Sequence, residues 1–342
     1  MLAGNMQRAI LMAIFLFATF SLAAPADESK AEGTELGQLS NEANPAGSGS
    51  GAPQRVFDFK ITPDMKTEDL DNPKSALSKL ISFIVKGASK ASRYVAIVGP
   101  KTPTPEIKLR ILDNSIFVPG GGPPQLGFRR TDVNPAIDKT TTLSGITTWY
   151  QTIRLASDAP LSLEHGYLLA SIEGPTGDHV FDIFCGSDFD AKNYEHKPSS
   201  NSKTIRVRDW STKTLLELPL VYDQNYNFAI TVDWDKNTLT VYSSTGTDPL
   251  KMASGPMAND PKAMSPDVRQ KGEYHIQLIK FPLADKKTPA DKVGDVPHFG
   301  FQPPIKREHV FFSNVFVTSG KEIEQPKFTA PKTKKVKACK RT

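Results

Sequence analysis

From Tyr94 to Thr318 the chain alternates short apolar runs with polar residues, and each run stops at a cluster of Gly, Pro, Asn or Asp. Runs of this kind, rich in β-branched and aromatic residues, predict strands. Eleven are predicted, over 94–98, 107–111, 149–155, 167–172, 180–184, 204–207, 216–221, 227–233, 239–243, 274–279 and 310–318. The alternation Val56-Phe57-Asp58-Phe59-Lys60-Ile61 opens the folded body with one more. Between Ser75 and Lys86 the period changes. Leu77, Leu80, Ile81 and Ile84 share one helical face and Ser75 stands where an N-cap belongs, which predicts a short helix. Phe228–Trp234 and Thr238–Tyr242 are joined by Asp235-Lys236-Asn237, which is hairpin turn chemistry. Many short strands with one apolar face close most simply as an all-β jelly roll or two-sheet sandwich with few short helices. The concave face of such a fold is a groove long enough for a polymer.

The flanks read differently. Arg8 precedes an apolar run from Ala9 to Phe20 and then small residues at Ala23, Ala24 and Ala26, the pattern of a signal peptide over 1–24. That run is short for a membrane span, so the expectation is a secreted protein with no membrane contact after cleavage. Residues 25–54, rich in Gly, Ser, Ala and Asn, show neither apolar period and predict a disordered linker. The domain is expected over 55–320 and a basic disordered tail over 321–342. Much of the formal charge of +5 sits in that tail, which leaves the body near neutral. The tail offers only Phe328 among its lysines, so it lacks the interleaved aromatics of a nucleic-acid site.

The chemistry is defined first by exclusion. The chain has no Gly-x-Ser-x-Gly, no His-Glu-x-x-His and no Gly-rich phosphate loop before a helix. Cys185 and Cys339 have no His or Cys neighbours at metal-ligand spacing, and they are read either as a disulfide or as a buried residue and a free thiol. No metal and no cofactor are expected. What remains is acidic residues in aromatic company, the equipment for cutting a glycosidic bond. Position at strand edges beside turns favours Asp132, Glu164, Glu173 and Asp182. Tyr150, Trp149 and Trp210 are candidates for stacking on a sugar.

An ordered string of motifs carries a family resemblance. Gly127-Phe128-Arg129-Arg130-Thr131-Asp132-Val133-Asn134-Pro135 resembles the Arg-Arg-Thr-Glu strand of glycoside hydrolase family 131, with Asp132 where the family has a catalytic Glu. Glu164-His165-Gly166-Tyr167 through Glu173 resembles the following Glu-His strand, at whose end the family places a second catalytic Glu. Asn227–Trp234, Tyr242–Leu250 and the cleft-histidine strand Gly272–Leu278 continue the match, which runs from about Val56 to Gly320. The resemblance implies a secreted, monomeric β-glucanase acting on β-1,3, β-1,6 or β-1,4 linkages. Asp132 and Glu173 would be the catalytic carboxylates, with the roles of acid and base or nucleophile left open between them. His275, Arg130, Tyr150 and Trp210 would bind substrate. Because Asp is one methylene shorter than Glu, the alternative is a non-catalytic glucan-binding protein or secreted effector on the same scaffold.

Overall fold

A computed structural model describes residues 52–330, apart from Asp267. The expected signal peptide, all but the last residues of the linker, the end of the tail and Cys339 lie outside the described residues. Two antiparallel sheets form the body. Sheet A orders as β13 (Lys251–Ala258), β12 (Thr238–Thr245), β11 (Asn225–Asp233), β6 (Ile146–Leu155), β15 (Glu308–Ser319), β4 (Glu106–Ile111) and β3 (Val95–Val98), and β1 (Gln54–Asp58) also pairs with β15. Sheet B orders as β10 (Thr214–Pro219), β9 (Thr204–Asp209), β8 (His179–Gly186), β7 (Gly166–Glu173), β14 (Glu273–Lys280), β5 (Arg129–Pro135) and β2 (Ile81–Val85).

The core lies between the sheets. Trp149, Ile153, Phe228, Ile230 and Val317 face inward from sheet A, and Val133, Ile172, Ile183, Val207 and Ile276 from sheet B. Trp149 meets Tyr274 edge-on across the gap, with ring centroids 4.9 Å apart. The expected hairpin is present, with Ile230 opposite Val241 and Asn237 at φ 54, a left-handed turn conformation that Asn tolerates.

Three regions depart from the sequence reading. Instead of a helix over 75–86, Ser78–Leu80 makes one 3-10 turn and Ile81–Val85 is the edge strand of sheet B. Ser75 still accepts from the Ser78 amide at 3.0 Å, but Leu77 is the residue that precedes the 3-10 turn, and pairing with β5 overrides the helical spacing. Strand β13 was not expected, and it lies mostly exposed at the other sheet's edge. Order also continues past 320. Ile323 and Phe328 pack against Tyr150, Leu250 and Phe316, and the Gln325 side chain bonds both the amide and the carbonyl of Leu250. Cys185 is a free, buried thiol whose pKa burial pushes up to about 12.

Candidate active site

Strand alternation sends Thr131 and Val133 of β5 into the core and leaves Arg130, Asp132 and Asn134 on the outer face of sheet B. His275 and Gln277 on β14 and Ser171 and Glu173 on β7 share that face. The register sets Gln277 opposite Asp132, Ser171 opposite His275, and Glu273 opposite Glu173. Asp132 and Glu173 thus flank His275 diagonally, two strands apart and four residues apart along β14, about 16 Å between Cα atoms from ordinary sheet spacings.

This outer face is not a solvated one. Asp132, Ser171, His275 and Gln277 are wholly buried and Glu173 is 5% exposed. Arg130 donates to Asp132 Oδ2 and, at 3.3 Å, to Gln125. The Glu173 Oε2 atom lies 3.6 Å from His275 Nε2 and 3.9 Å from His179 Nε2. The other ring nitrogen of His179 bonds Asp182 at 3.3 Å, and Arg208 clamps Asp182 with two contacts of 2.8 Å. Gln277 donates to Ser171 at 2.9 Å. A bulge makes the His179 contact: the register passes from Ile172–Phe181 to Glu173–His179 and skips Val180.

Each carboxylate has one oxygen facing a cation and one with no partner. Asp132 Oδ1 and Glu173 Oε1 are buried and unbonded, as are both ring nitrogens of His275, Gln277 Oε1, Asn134 Oδ1, Arg130 Nε and Gln125 Nε2. Buried polar atoms are nearly always paired in folded proteins, so a cluster of orphans on three adjacent strands marks a place built for a polar ligand or water.

The two carboxyls are displaced in opposite directions. Burial pushes Asp132 above the ordinary aspartate value, with the contact to Arg130 opposing but not cancelling it. Burial also works against ionised Glu173, but the nearby His179 and the positive charge around it leave it below its usual value. Burial pushes His275 down, so it is neutral near pH 7. His179 loses to burial but gains more from Asp182 and Glu173, and it rises to about 9. His179 is therefore the imidazolium that keeps Glu173 ionised.

Of the six residues expected at the site, the structure brings together Asp132, Glu173, His275 and Arg130, and leaves out Tyr150 and Trp210. Tyr150 projects from the outer face of sheet A, stacked on Phe316 at 4.2 Å, and its hydroxyl accepts from the Glu324 amide at 2.7 Å. Trp210 is part of the main apolar core. An aromatic residue in a strand packs equally well on either face, and these two are core residues. Sequence reasoning missed His179, Gln277 and Arg208, had reached Asp182 only as one acidic residue among several, and had weighed Ser171 only as the alternative to Glu173 at the second catalytic position. Among the described residues no group of three or more His, Cys, Asp or Glu is arranged to hold a metal ion.

A two-sheet β-sandwich with paired carboxylates of opposed pKa on one sheet face has the makings of a polysaccharide-cutting scaffold. The model of the glycoside hydrolase 131 catalytic N-terminal domain matches residues 56–322, and the chain belongs to that family. Among solved structures, the chain is similar to a GH131 β-glucanase catalytic domain from Podospora anserina, at 16% identity and a TM-score of 0.56 over 81% of this chain and 98% of that one. It is also similar to the catalytic domain of the glycoside hydrolase family 131 protein from Coprinopsis cinerea, at 13% identity and a TM-score of 0.55 over 80% and 98%. These likenesses establish the fold. No curated protein sequence matches the chain.

Proposed function

We propose that this chain is a secreted hydrolase of β-glucans in which Asp132 is the general acid and Glu173 the general base. The observation that carries the reading is the division of labour between the two carboxyls. Burial raises the pKa of Asp132, so this carboxyl is assigned the role of acid, with its unpartnered Oδ1 as the proton's place while Oδ2 faces Arg130. Glu173, held ionised beside His179, presents its unpartnered Oε1. In the reaction, Asp132 protonates the glycosidic oxygen and Glu173 takes a proton from a water that attacks the anomeric carbon from the opposite face. Neutral His275, between them, bonds a sugar hydroxyl or that water.

The register supports inversion. A direct nucleophile requires carboxyls about 5–5.5 Å apart, whereas a base acting through water requires about 6.5–9.5 Å. Residues two strands and four positions apart suit the wider spacing. The linkage acted on is one or more of β-1,3, β-1,6 and β-1,4, and the reaction needs no cofactor.

A second reading rests on the burial of Asp132 and its contact with Arg130, which also describe a structural ion pair in a non-catalytic glucan-binding protein. One experiment separates the two. The full chain is assayed for reducing-sugar release from laminarin, pustulan and a mixed-linkage β-glucan, beside Asp132→Asn and Glu173→Gln, with the first-formed product anomer read by NMR. Release by the wild type, lost in both variants, with the α-anomer formed first, is the expected result. Binding without release sinks the hydrolase reading and leaves a binding protein.

A further inference from the structure

The carboxylate cluster continues sideways into an aromatic pair, an exposed Phe83 and a half-buried Phe117, that the catalytic reading does not use. On the edge strand β2, the register sets Phe83 opposite Asn134 and Val85 opposite Asp132. Facing residues in an antiparallel pair share a face, so Phe83 stands on the same side of sheet B as the acid. Ile84, between them, turns the other way and packs on the core. Val85 is buried, but Phe83 is 54% exposed. Its ring meets that of Phe117 edge-on at 6.4 Å. Phe117 comes from the loop between β4 and β5 and is tied down by the Gln125 amide, which donates to its carbonyl at 2.8 Å. The Arg130 guanidinium lies 5.9 Å from the Phe117 ring centre, and Arg130 itself holds Asp132. Val118 and Leu126 of the same loop are 57% and 56% exposed.

An exposed aromatic side chain on a sheet edge invites aggregation unless it has a use. The use is indicated by what lies beside it. Gln125 Nε2 and Arg130 Nε are buried donors without a partner, and Asn134 Oδ1 is a buried acceptor without one. A pyranose ring in a β-linked glucan has an apolar C–H face and a rim of hydroxyls. It would lay the face on an aromatic ring and offer the rim to those three orphans. A plain apolar partner would leave them unsatisfied.

We propose that Phe83 and Phe117 form an aromatic platform that stacks a pyranose unit of the β-glucan next to the bond being cut, with Gln125, Arg130 and Asn134 taking its hydroxyls. The inference rests on the glucan reading above and adds the place where the chain is gripped. It sets the polymer running across the strands, over β2 and β5 towards His275 on β14 and Glu173 on β7.

The test is affinity electrophoresis of the full chain through gels containing laminarin, pustulan or mixed-linkage β-glucan, with steady-state kinetics on whichever glucan retards it. Phe83→Ala and Phe117→Ala are each expected to weaken binding about three- to tenfold, the size of one lost ring contact. The kinetic loss falls on KM more than on kcat, and Phe83→Trp keeps the grip. Phe83 is largely exposed, so its Ala variant keeps the wild-type melting temperature and a binding loss there cannot be a folding defect. Wild-type retardation with both Ala variants equally retarded overturns the platform. A wild type neither retarded by nor active on any of the three glucans overturns instead the glucan reading beneath it.

Discussion

The outer faces of the two sheets are built alike and finished differently. Sheet A's is covered by its own chain: Ile323 and Phe328 lie on Tyr150 and Phe316, Gln325 closes on Leu250, and Arg55 bonds Glu324 at 2.9 Å while its guanidinium sits 3.9 Å from the Phe316 ring centre. Sheet B's outer face is equally buried at its centre, yet Asp132, Glu173, His275 and Gln277 carry atoms that nothing in the described protein satisfies. A face that needs only covering receives apolar side chains and backbone bonds. On the proposed function, sheet B's polar atoms are held for a ligand, and the same desolvation displaces the pKa values of its two carboxyls in opposite directions.

The difference can be broken most sharply at the carboxylates. Asp132→Asn or Glu173→Gln should lower kcat about 10²–10⁴-fold, the range of general acid–base catalysis, in reducing-sugar assays. Both changes keep the side chain's shape, but Asp132→Asn leaves the buried Arg130 guanidinium without its anion and should lower the melting temperature, so kcat is read on protein shown to be folded by circular dichroism. Next in size is a pH effect that both sheets share. His165, ahead of β7, and His309, on β15, are each lowered to about 4, chiefly by burial. A group whose folded pKa lies below its unfolded value of about 6.5 favours folding above that value, and the contribution is lost as pH falls towards 4. Stability by urea titration should fall by up to about 3 kcal/mol for His165 over that interval, and His165→Gln should flatten the slope.

Sheet A's cover gives a smaller and cleaner contrast. Phe328→Ala should destabilise by about 1–2 kcal/mol, since its ring is only partly buried, and leave kcat/KM at the wild-type value. A fall in activity would show that the two faces are coupled. The smallest effect expected is at His179. His179→Gln removes the cation beside Glu173, whose pKa then rises under the burial that remains, so the acid limb of the pH–rate profile moves to higher pH and activity at neutral pH drops about tenfold. In the wild type the stability contributed by charged His179 is complete below about 6.5 and is lost as pH rises through about 9.

Much of the architecture was legible. Strands whose faces differ sharply, such as β6 and β11, announce themselves by alternation, and the Asp235-Lys236-Asn237 turn fixes the hairpin. β2 was misread because Leu77, Leu80, Ile81 and Ile84 satisfy helical spacing until a neighbouring strand claims them. β13 has Gly255 and Pro256 in its middle and little buried surface, so it carries no pattern to read. At the site, Asp132, Glu173 and His275 were reached through motif resemblance, since a buried polar face alternates like a solvated one. Phe83 was placed on the predicted helix and so never considered. Gln277 gave no signal, and Ser171 was weighed only as the alternative to Glu173, with which it shares a strand face. His179 and Asp182 are an odd number of residues apart and should point to opposite faces. Only the bulge at Val180 brings them together.

That bulge ties the length of a surface turn to the site. A turn shortened by one residue within Gly174–Asp178 would draw β8 into regular alternation, with Val180 opposite Glu173 and the imidazole of His179 turned to the core side. Adding one would move it along the strand, out of reach of Glu173. Apart from Gly177, whose φ of 81 favours glycine, the turn Gly174–Asp178 is thus free to vary in composition but not in length. In a library of variants, insertions and deletions there should be depleted while point changes at Pro175 or Thr176 pass unselected.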